Sequence, residues 1–356
     1  MKKIKLSFCI STFNRANFIG ETLDSIIPQL TDEIEIVIVD GASTDATEYI
    51  IQGYQRKCPH MRYFKQEKNS GIDCDYNNAV ERAQGEYCWL MSDDDLLKPG
   101  AVSALLGVLS TSEYSLVIVN AEVMTKDLSR VIHKNMLGMS NDKIYRPCDA
   151  QGLFVDVAKY LSFIGAVVIK RTLWIERERE RYFGSAFIHM GVIFQKPLTG
   201  DVFVIAHPWI VIRYGNGFWN PKKFEIWLFK WPQLVWSFSE YSDEVKRKIS
   251  PQKPWEKIRT LTLFRAVGAF SLNEYRTLLK PRMAFGWRRL AARVVAVIPS
   301  PLFNFLWTFY ISTIHRCSPM WLYDLKHSSC NYLNCLCNGN HSTSMQKMKK
   351  KESRVL

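Results

Sequence analysis

The sequence lacks a regular cysteine framework, an internal repeat, a signal-peptide cleavage site and, over its first third, any excess of basic charge. Its nine cysteines are an odd number without regular spacing in 356 residues, which fits reduced thiols and excludes a small disulfide-stapled scaffold. The opening MKKIKLSFCISTFNR has only a brief apolar run, and Asn14-Arg15 follow it at once, so it reads as a first strand and nothing suggests export. Residues 1–110 carry 11 Lys/Arg against 16 Asp/Glu, whereas residues 111–356 carry 36 against 18. An acidic N-terminal part excludes a nucleic-acid grip there, and the basic, aromatic-rich remainder suits an anionic membrane surface. Low complexity is confined to Lys347–Arg354, which reads as a solvated tail.

What is present is ample apolar material. With 47% hydrophobic and 13% aromatic residues, the chain can bury one large core or two smaller ones. Apolar runs at Ile4–Ile10, Ile34–Val39, Tyr87–Met91 and Leu116–Val119 alternate with helix-like stretches, the rhythm of βαβ units and hence of a parallel sheet. One helix is predicted with Asn17 as N-cap and Ile19, Leu23, Ile26, Ile27 and Leu30 as its inner stripe. Others are expected to start near Ser43-Thr44-Asp45 and near Pro99.

Ligands of such sheets sit outside the carboxyl ends of the strands, so the polar residues after each apolar run carry the interest. The first run ends in Ser11-Thr12-Phe13-Asn14-Arg15, the second in Asp40 to Asp45, and the run to Met91 in Ser92-Asp93-Asp94-Asp95. Asp40 is suited to a base or ribose and Arg15 to a phosphate, although Asp40 to Asp45 would equally cap a helix. Three adjacent carboxylates repel one another unless a cation or solvent compensates, so the triplet reads as a divalent-ion site or as the acidic start of the next helix.

The motifs SFCISTFNR (7–15), VIVDGASTD (37–45), KNSGIDCDYNNAVERAQGEYCWLMSDDDLLKPG (68–100) and GAVVIKR (165–171) together resemble the family 2 glycosyltransferases, and among them bacterial O-antigen sugar transferases. The resemblance implies a GT-A-type nucleotide-diphospho-sugar-binding domain with a mainly parallel central sheet, and sugar transfer with inversion at the anomeric carbon. It implies that Thr12, Arg15, Asp40 and Asn69 hold the nucleotide. Asp94, at the last position of the family's Asp-x-Asp motif, would ligate Mg²⁺ or Mn²⁺ with Asp95, and Asp93 would assist catalysis. Ser92 stands where the motif has its first Asp, and Asp75-Tyr76-Asn77 stands where many relatives have an Arg-Asn pair. Relatives carry a catalytic carboxylate about halfway along the chain, but here the stretch reads Phe187-Ile188-His189-Met190-Gly191. His189 is the nearest titratable group and so the candidate base, the alternative being a structural histidine on an apolar helix.

The expected organisation is a catalytic domain over residues 1–215, with a nucleotide half (1–120) and an acceptor half (121–215). A helical, basic and aromatic membrane-associated region (216–330) and a basic tail (331–356) follow. Residues 218–236 mix Trp and Phe with Lys and Arg, which favours headgroups or a core helix with snorkelling side chains. Residues 294–314 carry no charged side chain, but Pro299-Ser300-Pro301 interrupts them, so an interfacial or re-entrant element is expected rather than a span. Cys330, Cys335 and Cys337, with His327 and His341, lack the paired Cys-x-x-Cys spacing of structural zinc sites. These features point to transfer of one sugar from a nucleotide-diphospho-sugar to a lipid-linked oligosaccharide at the cytoplasmic face of the inner membrane, with no nucleic-acid partner. A processive polysaccharide synthase, whose Gln-x-x-Arg-Trp motif is not found, and a catalytically decayed nucleotide-sugar-binding protein are the alternatives.

Overall fold

The computed structural model describes residues 3–216, 222–314 and 318–331, so Cys335, Cys337, His341 and the basic tail lie outside the described residues. The described chain divides into two compact units. One runs to Asn216 and includes Gln233–Gln252; the other holds the described residues up to Pro232 and those from Lys253 onward.

In the first unit β1 (Leu6–Thr12), α1 (Ile19–Ile26), β2 (Ile34–Asp40), α2 (Thr47–Gln55), β3 (Met61–Lys65), α3 (Ile72–Arg82) and β4 (Tyr87–Met91) alternate along the chain. Every residue of β1, β2 and β4 is buried, as expected of strands covered on both faces. Helix α1 buries Ile19, Leu23 and Ile26 as its spacing predicts, but its N-cap is Phe18 rather than Asn17. Helix α2 begins at Thr47, whose N–H donates to Asp45 Oδ1 (3.0 Å). The chain continues through β5 (Leu96–Leu97), α4 (Ala101–Thr111), β6 (Leu116–Met124), β7 (Val131–His133), β8 (Lys143–Tyr145), α5 (Ala150–Val157), β9 (Val167–Lys170), α6 (Arg171–Glu176), α7 (Ile188–Phe194) and β10 (Val202–Arg213).

The strands form one sheet in the order β3-β2-β1-β4-β9-β6-β10-β5, with β7 on β6 and β8 on β10. It is mixed rather than mainly parallel. Strands β3, β2, β1 and β4 form a continuous parallel block, joined by helical crossovers, and β10 runs parallel to β6; β9 enters antiparallel between β4 and β6, and β5, β7 and β8 also pair antiparallel. The residues on both sides of Pro208 belong to a single strand, β10, whose register on β6 shifts there because proline offers no N–H to the ladder. Residues 233–252, assigned by sequence to the C-terminal region, join the first unit because Phe238 and Tyr241 complete an aromatic cluster with Phe154 and Phe194.

The second unit is helical. Phe224, Leu228, Phe229, Leu261, Phe264 and Phe270 lie in its core, so the described aromatic residues of 222–230 are largely core side chains rather than a headgroup-facing belt. Helices Trp287–Val297 and Ser300–Thr313 meet at a 99° bend, and among the described residues no single helix is long and apolar enough to cross a membrane. Asn304, the polar residue inside the apolar stretch, donates to the carbonyls of Ala266 (3.1 Å) and Leu325 (2.9 Å) and so ties three helices together.

Candidate active site

Beyond Met91 the chain turns through Ser92-Asp93-Asp94-Asp95. The single proton of the Ser92 hydroxyl is shared between Asp94 Oδ1 (3.0 Å) and Asp95 Oδ2 (2.8 Å), so the residue replacing an expected carboxylate serves as an internal donor to its neighbours. Asp95 Oδ1 accepts the Arg213 backbone N–H (2.8 Å). Asp95 is the most enclosed of the three carboxylates, and its bond to the β10 backbone pins the acidic turn to that strand, a structural role the sequence did not announce beside the expected metal-ligating one. Arg15 reaches the other two carboxylates, Nε to Asp93 Oδ1 (3.3 Å) and Nη2 to Asp94 Oδ2 (3.1 Å), while Nη1 donates to the Asn216 carbonyl (3.2 Å). Arg213 closes the far side: its Nε donates to the Asp94 carbonyl (3.1 Å), Nη1 to that of Lys126 (3.0 Å), and Nη2 pairs with Glu21. Burial, reinforced by Asp94 and opposed by Arg15, pushes the Asp93 carboxyl up to about 7. Burial and Asp94 also hold Asp95 well above the usual carboxylate range. One guanidinium does not neutralise this turn.

The loops after β1 and β2 are laced together. Asn14 Oδ1 accepts the N–H groups of Thr44 (2.8 Å) and Asp45 (3.3 Å), and the N–H of Asn14 donates to Ser43 Oγ (2.8 Å). Asn14 and Ala42 both adopt left-handed backbone (φ 54° and 68°), a conformation that costs an alanine about 1 kcal/mol. Asp40 is wholly buried; Oδ1 accepts the Ser43 N–H and Oδ2 the Tyr63 hydroxyl, each at 2.7 Å, so it shapes this loop. A Cβ on Gly41 would lie 2.7 Å from Asp75 Oδ2, so a side chain there would have to push the Asp75 carboxylate aside. Burial pushes Asp75 up to about 6, with Asp40 adding to the rise and the Ser70 hydroxyl opposing it. Asn69 is exposed, and its side-chain oxygen accepts the Gly71 N–H (2.9 Å) in the turn into α3. Thr12 is buried at the end of β1.

Helix α7 is a different environment. All seven of its residues are buried, and His189 Nε2 lies 2.6 Å from the Leu161 carbonyl oxygen. Burial lowers its pKa to about 4, with the Leu161 contact opposing, and the ring is 1% exposed. A ring sealed in this way cannot meet an acceptor hydroxyl, so the structure corrects His189 from candidate base to core histidine. The helix is held from outside by opposite charges. Asp73 accepts the N–H groups of Ala186 (2.8 Å) and Ile188 (3.0 Å) at its start, and Arg177 donates to the carbonyls of Val192, Ile193, Lys196 and Pro197 at its end.

Residues 7–163 match the sequence model of glycosyl transferase family 2. The chain carries a family 2 glycosyltransferase domain. It is 26% identical over 231 residues to abequosyltransferase RfbV of Salmonella typhimurium, spanning 61% of this chain and 69% of that protein. Over 103 residues it is 34% identical to the GalNAc(5)-diNAcBac-PP-undecaprenol beta-1,3-glucosyltransferase of Campylobacter jejuni, which covers 29% of this chain and 33% of that one. Among solved structures, S. aureus TarS 1–349 in complex with UDP-GlcNAc aligns with a TM-score of 0.54 at 16% identity over 90% of both chains, a likeness of fold.

In this glycosyltransferase the residues brought together are Arg15, Asp93 and Asp94, with Asp40 and Asp75 paired beside Gly41. Arg213 was missed by the sequence reading, although it directly follows the apolar run Trp209–Ile212 and the strand-end rule would have found it. Asp73 and Arg177 carried no such signal, because their partners are backbone groups more than a hundred residues away in one case and fifteen to twenty in the other. A divalent cation fits Asp93 and Asp94 by donor chemistry. Among the described residues no three His, Cys, Asp or Glu side chains converge to hold a metal by themselves, and Mg²⁺ sites commonly take one or two carboxylates and complete their shell with water and substrate phosphates.

Proposed function

We propose that this glycosyltransferase moves a single sugar from a nucleotide-diphospho-sugar to a hydroxyl of a lipid-linked oligosaccharide in bacterial surface polysaccharide synthesis. The observation that carries the reading is the convergence of Arg15 from the end of β1 with Asp93 and Asp94 from the end of β4, next to the loop that Asp40 holds at the end of β2. Cation and carboxylates at adjoining parallel strand ends form the setting in which a diphosphate is gripped. Asp93 and Asp94 would hold Mg²⁺ or Mn²⁺, which when bound neutralises the charge developing on the departing diphosphate. Arg15 offers a forked donor to the same phosphates, and the Asn14 lacing keeps its backbone in place. Asp95, Ser92 and Arg213 hold the acidic turn at fixed distance from β10. The Campylobacter relative's undecaprenol-linked acceptor and the UDP-GlcNAc bound by TarS support the two substrate classes.

A seat at the cytoplasmic face of the inner membrane is part of the same proposal. Trp287, Leu290, Val294 and Val297 on one helix, and Leu302, Phe305, Leu306 and Phe309 on the next, are exposed at one-turn spacing, with Arg288 and Arg293 also exposed among them. That combination favours an interfacial wedge. The test incubates the full chain with radiolabelled nucleotide sugars and a lipid-linked saccharide extract, beside sedimentation with vesicles containing anionic lipid. Transfer to the lipid fraction and co-sedimentation that Phe305→Glu with Phe309→Glu abolishes are expected. Label found only in free sugar would overturn the acceptor assignment.

A further inference from the structure

The position of Arg15 suggests how donor and metal depend on each other. Its guanidinium lies between two adjacent carboxylates, 3.3 Å from Asp93 and 3.1 Å from Asp94, with only 11% of the side chain exposed. A divalent ion bound by those carboxylates would need the same space, and two positive groups cannot share it at low dielectric cost. A second observation marks this place for a further ligand. Thr12 is 1% exposed, and its hydroxyl, beside Asp93, has no other hydrogen-bond partner. Arg15 is anchored through its backbone, whose N–H donates to Thr47 Oγ1 (2.8 Å), so a move of the side chain keeps its base fixed and has to give up the Asn216 carbonyl (3.2 Å) together with the two carboxylates.

We propose that in the nucleotide-free enzyme Arg15 occupies the position between Asp93 and Asp94 that the divalent cation takes during turnover, leaving it only when a diphosphate offers the guanidinium another anion. The inference rests on the metal reading above and deepens it: Arg15 makes metal binding conditional on the donor. Without a diphosphate, the ion must displace a charge-assisted pair and leave the guanidinium uncompensated. With one, both cations find oxygen partners, and the two affinities become coupled.

The test is a titration of the full chain with Mn²⁺ alone, free ion being read by electron paramagnetic resonance and folding by circular dichroism. Arg15→Gln should bind Mn²⁺ roughly tenfold more tightly than the wild type, within the usual range of coupling between sites. Arg15→Lys, which keeps one charge but loses the fork, should gain about threefold and carries the test if the glutamine variant misfolds. Adding Asp94→Asn should erase either gain. Unchanged or weaker Mn²⁺ binding in a folded Arg15 variant, a gain that survives Asp94→Asn, or no Mn²⁺ binding by any form would overturn the inference. Sugar transfer is measured separately, so loss of the functional reading would show as an absence of product while the Mn²⁺ pattern stands.

Discussion

The two ends of the parallel block β3-β2-β1-β4 both bury carboxylates and treat them in opposite ways. At the amino end Glu35 accepts the Ser7 hydroxyl (2.7 Å) and the Gln84 N–H and pairs with Arg62 (3.2 Å), while Gly85, whose N–H also donates to Ser7, admits no side chain against β1. One carboxylate meets donors enough to satisfy it. At the carboxyl end Asp40, Asp75, Asp93, Asp94 and Asp95 are all buried; Asp40 and Asp95 have donors on both oxygens, but Asp93 and Asp94 share the single guanidinium of Arg15, and burial pushes Asp75, Asp93 and Asp95 upward. A buried carboxylate with its donors in place is structural; a buried surplus of negative charge marks a place built for a ligand that brings cations or displaces water.

Substitutions at each end should therefore fail differently. The largest effect is expected for Asp94→Ala, which should lower sugar transfer by roughly 10²–10³-fold, the range for removing one preorganised electrostatic contact, with thermal melting nearly unchanged. A fall in melting temperature that accounts for the lost activity would erase the distinction between the ends. Glu35→Ala should do the reverse and cost about 3–5 kcal/mol in urea unfolding by stranding Arg62 and the Ser7 and Gln84 donors, while turnover per folded molecule stays near normal.

His189→Ala should follow the structural pattern, losing about 1–3 kcal/mol of stability with kcat and KM retained. Its pH dependence sharpens the test. The folded pKa of about 4 lies below the ordinary 6.5, so the unfolded chain takes up a proton that the folded one refuses, and wild-type stability should fall as pH drops from 6.5 toward 4. The variant should lose that contribution, as urea unfolding across this range would show. Asp75→Asn should have the smallest effect, a stabilisation of about 1–2 kcal/mol near neutral pH. Asp75 titrates near 6 rather than 3.8, so the folded protein holds its proton more tightly, and stability is lost as pH rises through that interval. A melting curve at pH 7.5 no higher than that of the wild type would return Asp75 to the satisfied class.

The acidic turn and the loops after β1 and β2 were legible in the sequence because in a βαβ block the residue following each apolar run must emerge at the carboxyl edge. Their individual roles were not. Asp40 and Asp95 look like ligand groups in one dimension, and only the approach of Tyr63 from β3 and of Arg213 from β10 shows that their oxygens are engaged. His189 was read from its place in the stretch where relatives carry a carboxylate and from its titratable ring, and the Leu161 carbonyl that faces it lies 28 positions earlier.

By itself, then, the order of apolar runs and polar strand ends determined the parallel block and the polar cluster at its carboxyl edge, since these depend on periodicity and on which residue follows a strand, while the family was legible only through the resemblance of the motifs. The antiparallel entry of β9, the split of residues 233–252 from their neighbours, and the division of carboxylates into tied and uncompensated ones were decided by tertiary structure. The reason is electrostatic as well as steric. Whether a buried charge is satisfied depends on donors within about 3 Å, and those arrive from strands and loops far away along the chain.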